Sequence, residues 1–368
     1  MNPSNNTPTY HSSSKYLITE QQKQSFITAI EIGLKERSNS NAAKALGAKI
    51  KSKRNIQDII SLILSAQPFA INTFVCNQLI NKLKDEFGLV KCIFELLVSS
   101  NLATVVTYNS YIASAGYAGQ FFEAKEAFCA AKNKKLADVF TYSSYITTAG
   151  RAGQFYQVQT AFSDSKKLKL VNEVTYNAYI TAAGQAGQFQ EAQKAFDEIK
   201  ELNLADKVTY SSYIMAAGNT GHFEAAQAAF DEAKRLMLAN VVTYSAYITA
   251  AGNRFQFAEA QAAFNEVKQL MLANVVTYSN YIIAAGQVGQ FEESHKAFDE
   301  AQKLNLIDVV TYNALMDVTI LADPVVSKAY YDQLFKDFQT DQSNILKIKW
   351  PIISIEKVLL RHGLAYML

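Results

Sequence analysis

A fixed step of 34 residues runs through most of this chain, and that step decides what it can fold into. The dipeptide Thr-Tyr begins at Thr107, Thr141, Thr175, Thr209, Thr243, Thr277 and Thr311. Phe128, Phe162, Phe196, Phe230, Phe264 and Phe298 keep the same step, as do Gly116, Gly150, Gly184, Gly218, Gly252 and Gly286. Six consecutive units fill residues 105–308. The first reads VVTYNSYIASAGYAGQFFEAKEAFCAAKNKKLAD. Val105, Tyr108, Tyr111, Ile112 and Ala115 fall at helical spacing and predict a first helix from about Val106 to Ala115. Phe121, Ala124, Ala127, Phe128 and Ala131 predict a second helix from about Phe121 to Lys134. Gly116 and Gly119 are expected to break the first helix and turn the chain. The unit starting at Val241 has Gly252-Asn253-Arg254-Phe255 where the others have Gly-x-x-Gly, so a local change in its turn is expected.

Helices this short are marginal alone in water, so each must bury its apolar stripe against its partner and the next unit. The expected fold is therefore all-α: a right-handed αα-superhelix, that is, a helical-repeat solenoid with helical caps. The expected organisation is a disordered polar tail at 1–15, a helical cap at 16–70, a degraded unit at 71–104, the array at 105–308, and a partial seventh unit with a C-terminal cap at 309–368. In the degraded unit Thr73 and Phe94 keep the register of Thr107 and Phe128. In the N-terminal cap, Thr19 with Gln22 reads as a capping box opening a helix to about Arg37, and Asn55 as the cap of another to about Ala66. Asp323-Pro324 reads as a cap and first-turn pair in the last segment.

Charge sits unevenly. The chain carries a net +2 overall, too little to draw it to nucleic acid or membrane by charge alone. The array itself holds 17 Lys and Arg against 20 Asp and Glu. The main basic cluster is Lys44, Lys49, Lys51, Lys53 and Arg54, read as a solvated helix face. Cys76, Cys92 and Cys129 lack zinc-ligand spacing, and their odd number argues against a disulfide framework. A soluble, cytoplasmic protein of a reducing compartment is expected. The N-terminus has no secretory pattern, although a bacterial secreted effector need not carry one. His11, His222, His295 and His362 are far apart and fall in no nucleophile or metal motif, so no catalysis, metal or cofactor is expected.

The frame V-T-Y-N-x-x-I, then A-G-Q-F-x-E-A, then A-F, resembles the pentatricopeptide repeat. Tetratricopeptide units share the length and the helical-pair plan, but their Trp and Leu-Gly signature is absent. The resemblance implies a monomeric, non-catalytic binder of single-stranded RNA that reads one base per repeat. In that family one reading residue follows the Tyr and the other ends the unit. The first place holds Asn109, Ser143, Asn177, Ser211, Ser245 and Ser279, with Asn313 in the seventh unit. The second holds Asp138, Asn172, Asp206, Asn240, Asn274 and Asp308. The residue before the Thr packs against the base; here it is Val106, Phe140, Val174, Val208, Val242 and Val276. By the family's rules the implied target resembles 5′-UAUAAG-3′. A lysine often follows the first turn glycine in the family, whereas this chain has Tyr117, Arg151, Gln185, Asn219, Asn253 and Gln287. The final tail lacks the Asp-x-His-Gly motif of nuclease-like C-terminal domains.

Other readings of the same residues stay open. The terminal Asp or Asn stands just before a helix, where both are preferred N-caps whatever else they do. The Ser and Asn inside the first helix are mediocre helix formers, so they read either as a small polar surface facing a groove or as an inter-repeat hydrogen bond. The tyrosines read as a buried seam rather than a stacking platform. The net negative array equally suits a scaffold for a protein partner, engaged through the same groove or through acidic helix surfaces.

Overall fold

From Ser99 to Lys303 every helix is followed by a residue of left-handed backbone, and this gives the repeat its shape. The computed structural model describes residues 18–322, all-α with one additional turn of 3-10 helix at Pro68–Ala70. The tail at 1–15, the cap signal at Asp323-Pro324, the segment to 368, His11 and His362 lie outside the described residues. The chain divides into two compact units, Met1–Ala182 and Ala183–Leu368.

The N-terminal unit begins with α1 (Glu20–Lys35), α2 (Ser40–Ser52), α3 (Ile56–Leu64), α4 (Thr73–Lys82) and α5 (Phe87–Ser99). Thr19 and Gln22 form the reciprocal capping box on α1, and Asn55 Oδ1 accepts from the Asp58 amide at 2.7 Å on α3. Helix α2, capped by Asn39, carries Lys44, Lys49 and Lys51 on exposed positions, as a solvated helix face requires, while Lys53 and Arg54 lie just past its end. Helix pairs then follow in register: α6 (Val105–Tyr117) with α7 (Phe121–Asn133), and α8 (Val139–Arg151) with α9 (Phe155–Lys167). Helix α10 (Glu173–Gln185) spans the division. The C-terminal unit continues with α11 (Phe189–Glu201), α12 (Lys207–Asn219), α13 (Phe223–Arg235), α14 (Val241–Asn253), α15 (Phe257–Gln269), α16 (Val275–Gln287), α17 (Phe291–Lys303) and α18 (Val309–Ala322). The architecture is a helical-repeat solenoid.

The two glycines of each turn do different work, which corrects the expectation that both break the helix. Gly119 takes φ +71° with nothing near it, and it reverses the chain after α6. Gly116 lies inside α6, where a Cβ would come within 2.2 Å of Thr148 Oγ1 on α8. Gly218 likewise faces Ala250, and Gly252 faces Ala284. These glycines let successive first helices touch backbone to backbone. The variant turn at Gly252 also departs from expectation, because its geometry is kept. Gln256 N–H donates to Ala251 O at 2.9 Å and Phe255 N–H to Gly252 O at 2.9 Å, the pair of bonds that ends a helix on a left-handed residue. Phe255 simply adopts φ +59° in glycine's place, at a cost of about 1 kcal/mol or more.

The seam is aromatic. Phe128 stacks on Tyr145 of the next repeat with centroids 4.0 Å apart and meets Tyr142 edge-on at 5.2 Å. Phe196, Phe230 and Phe264 repeat the pattern with the tyrosine pairs that follow them. Phe94 of the degraded unit does so with Tyr108 and Tyr111. The tyrosines are buried, and burial pushes Tyr145, Tyr210 and Tyr281 up to about 12. A phenol whose pKa is raised on folding stabilises fully below its unfolded value near 10, and that stability is lost as pH rises through the folded value. Stability is therefore expected to be level to about pH 9 and to fall steeply between about pH 10 and 12. Urea midpoints against pH, with tyrosinate absorbance followed in parallel, check this; a level midpoint through pH 11 would contradict it.

Candidate nucleic-acid interface

Each repeat ends in an Asp or Asn because the following helix needs an N-cap. Asn240 Oδ1 accepts the amides of Val242 at 2.9 Å and Thr243 at 3.1 Å. Asp138, Asn172, Asp206, Asn274 and Asp308 cap their helices in the same way. The capping reading therefore holds for all six, and it accounts for one terminal atom of each. The second terminal atom differs in kind. Asn172, Asn240 and Asn274 keep an Nδ2 that donates to nothing among the described residues. Asp138 and Asp308 instead keep an Oδ2 that accepts nothing there. All these residues are half-buried, so the caps present donors at some repeats and acceptors at others.

The residues after the tyrosines divide into two kinds. Ser143, Ser211, Ser245 and Ser279 are buried and bonded to the next repeat; of the two readings open for them, this matches the inter-repeat hydrogen bond and not a polar surface open to a groove. Ser211 Oγ donates to Lys207 O at 2.8 Å and lies 3.0 Å from Thr243 Oγ1. Ser143 has the same two partners, Val139 O at 2.8 Å and Thr175 Oγ1 at 2.9 Å. Asn109 is half-buried and is joined directly to its cap: Nδ2 donates to Asp138 Oδ1 at 3.1 Å, and Oδ1 accepts from Thr141 Oγ1 at 2.6 Å. Asn177 is buried and Asn313 half-buried. The structure thus brings the two members of each candidate pair in the described contacts to one place, directly for Asn109 with Asp138 and through a threonine in the Ser type.

Beside each cap stands an exposed apolar side chain. Val106, Phe140, Val174, Val208, Val242 and Val276 are all 46–59% exposed, on the first turn of helices that are otherwise buried along their apolar face. An open apolar surface next to a polar atom of defined donor or acceptor type matches a flat ring with a hydrogen-bonding edge.

Much of the remaining charge lies on the second helices. Lys132, Lys200, Lys234 and Lys268 pair with Asp164, Glu232, Glu266 and Glu300 of the next repeat at 2.6–3.0 Å. Lys91 pairs with Glu123 at 2.6 Å. That lysine, with help from the Tyr111 hydroxyl, holds the Glu123 carboxyl below its usual range against the opposing effect of burial. Second helices are thus stitched together by ion pairs. At the far ends of α12, α14 and α16 an open cleft of about 640 Å³ is lined by Gln185, Asn219, Asn253, Gln287, Arg254, Phe255 and turn glycines. Arg254 is its one cation, with Nη1 3.5 Å from where a Cβ on Gly221 would lie.

Sequence reading used the threonines of Thr-Tyr only as register marks and missed their place in this network. They are fully buried, from Thr107 to Thr311. The signal was present as Asp/Asn-x-x-Thr, a capping box with threonine at its third position. Among the described residues no group of three or more His, Cys, Asp or Glu could hold a metal ion. No helix there is long and apolar enough to cross a membrane. All three cysteines are free.

Among solved structures, the chain is similar to the pentatricopeptide repeat protein PPR10 from maize. The identity is 23%, the match covers 77% of this chain and 42% of that one, and the TM-score is 0.42. It is also similar to PPR10 in complex with an 18-nt psaJ RNA element, at 19% identity over 86% of this chain and 56% of the other, with a TM-score of 0.42. A tetratricopeptide repeat protein from Parabacteroides merdae shares 12% identity over 70% of this chain and 99% of its own, with a TM-score of 0.46. The chain thus spans about half the length of the PPR10 chains it matches. No curated protein matches it. The PPR repeat family model matches residues 106–136, 174–204 and 276–306. The three matches begin at the same position of the first, third and sixth units, two and then three full periods apart. Three of the six units are therefore pentatricopeptide repeats by that model, and the other three keep the same 34-residue register.

Proposed function

We propose that the array binds single-stranded RNA sequence-selectively, without catalysis, one base per repeat, with a preferred target resembling UAUAAG. One observation carries this reading: the exposed apolar residue beside a cap whose second terminal atom is a donor in the Asn repeats and an acceptor in the Asp repeats. The apolar residue supports the base face and the cap atom meets its edge. Ser with Asn then corresponds to adenine, Asn with Asp to uracil, and Ser with Asp to guanine, by the family's rules. The PPR10 structure solved with an RNA element is a related precedent.

Titration of labelled UAUAAG-containing RNA against a scrambled RNA of equal composition, across a salt series, tests the reading. The expected result is a preference for UAUAAG that persists as salt rises, on a shallow salt dependence. The shallow slope follows from an array with more Asp and Glu than Lys and Arg, in which Lys132, Lys200, Lys234 and Lys268 are already paired. Equal binding of both RNAs at low salt would overturn it.

A second reading, a scaffold for a protein partner, is favoured by a different observation. Leu236, Met237, Leu270 and Met271 stand exposed where second helices end, the two methionines more than nine-tenths so. Acidic helix surfaces offer less support, since many of their carboxylates are already paired with lysine.

A further inference from the structure

The Thr of Thr-Tyr is held in the same way wherever the described contacts show it. Thr243 is fully buried. Its Oγ1 accepts the Asn240 amide at 3.2 Å, donates toward Asn240 Oδ1 at 3.1 Å, and lies 3.0 Å from Ser211 Oγ. Thr141 bridges Asn109 and Asp138 at 2.6 and 2.9 Å. Thr175 bridges Ser143 and Asn172 at 2.9 and 3.0 Å, and Thr311 bridges Ser279 and Asp308 at 3.1 and 3.3 Å. One hydroxyl therefore touches both members of a reading pair, although it belongs to the repeat that follows.

The consequence lies in hydrogen-bond accounting. The Ser211 proton has two acceptors in reach, Lys207 O and Thr243 Oγ1, and the Thr243 proton has two, Ser211 Oγ and Asn240 Oδ1. Both hydroxyls are buried and must be satisfied internally. Closing this network fixes Oδ1 of Asn240 on the helix N-terminus and on the threonine at once, and so fixes which way Nδ2 faces. The two backbone amides keep Oδ1 turned inward in any case, but without the threonine bond they alone hold the side chain, which gains freedom to swing about them. The outward Nδ2 would then no longer stand at one fixed place, and the donor that distinguishes one base edge from another would be blurred.

We infer that this threonine is a positioning residue for base selectivity: it touches no RNA, but it sets the orientation of the cap amide or carboxylate in the preceding repeat. The inference rests on the RNA-reading function proposed above. It places control of the base read by residues 207–240 on Thr243, outside that repeat.

The test uses the full chain carrying Thr243→Val, which keeps the shape and removes the hydroxyl, and Thr243→Ser, which restores it. Binding is measured to UAUAAG and UAUUAG, differing at the fourth base, and to UAUAUG, differing at the fifth. For Thr243→Val the adenine-over-uracil preference at the fourth base is expected to fall about three- to tenfold, an amount within one ordinary base contact. The preference at the fifth base is expected to stay at the wild-type value, and Thr243→Ser to restore the fourth. A merely structural threonine would weaken binding to all three RNAs together, and that result overturns the inference. Wild-type protein that does not discriminate among the three overturns the RNA reading itself and this inference with it. Wild-type discrimination that Thr243→Val retains overturns the inference alone.

Discussion

Gly218→Val is expected to destabilise the C-terminal unit by about 3 kcal/mol or more, at the upper end of overpacking costs. A Cβ on Gly218 would lie 2.5 Å from Ala250 Cβ and 2.8 Å from Ala250 Cα. The second of these is backbone of α14 and cannot swing aside as a side-chain tip would. The two first helices would have to part, and with them the aromatic seam between Phe230 and its tyrosines. Because each repeat is stabilised through its neighbours, the damage should spread as loss of cooperativity and not stay local. Gly187→Ala is the informative control. Gly187 takes φ +72° with nothing within 4 Å of a built Cβ, so its cost is the left-handed backbone alone, about 1–2 kcal/mol. Urea unfolding followed by circular dichroism separates the two. Equal midpoints for Gly218→Val and wild type would refute the packing role of these glycines.

The second large effect concerns selectivity. Exchanging Ser211→Asn together with Asn240→Asp should move the preference at the fourth base from adenine toward uracil, by about 1–3 kcal/mol. The receiving geometry already exists in the chain. Asn109 donates from Nδ2 to Asp138 Oδ1 while Thr141 Oγ1 donates to its Oδ1, and Thr243 stands ready to do the same. The cap function survives, since a carboxylate oxygen accepts the two amides as well as an amide oxygen does. The outward atom changes from donor to acceptor, and that change is what a base edge would sense. Ser211→Ala alone should leave the preference nearly in place, because the serine hydroxyl is buried and engaged within the protein.

The fold was legible because its information is local and repeated. The step of Thr-Tyr, Phe and Gly gave the helix pairs, and α6 and α7 depart from the expected bounds by only one or two residues. Less legible were features that depend on a neighbour in space. Gly116 reads as a breaker in one dimension, yet sits inside a helix because Thr148 of the next repeat leaves no room for a side chain. Gly252-Asn253-Arg254-Phe255 reads as a broken turn, yet Phe255 tolerates the left-handed backbone and the turn stands. The site shows the same division. Asp and Asn at the repeat ends were readable as caps, since a cap is defined by its own helix. The burial of Ser211 and its bond to Thr243, 32 residues on, needed the stacked repeats, and so did the bridging part of the threonines.

The most direct test of RNA reading is a four-way binding experiment. Wild type and the Ser211→Asn, Asn240→Asp exchange are each titrated with UAUAAG and UAUUAG at one fixed salt concentration. Wild type should favour UAUAAG and the exchanged protein UAUUAG, with similar affinity for their preferred partners. If the preference for adenine stays with both proteins, or neither protein distinguishes the two RNAs, the caps serve the helices alone and the row does not read bases.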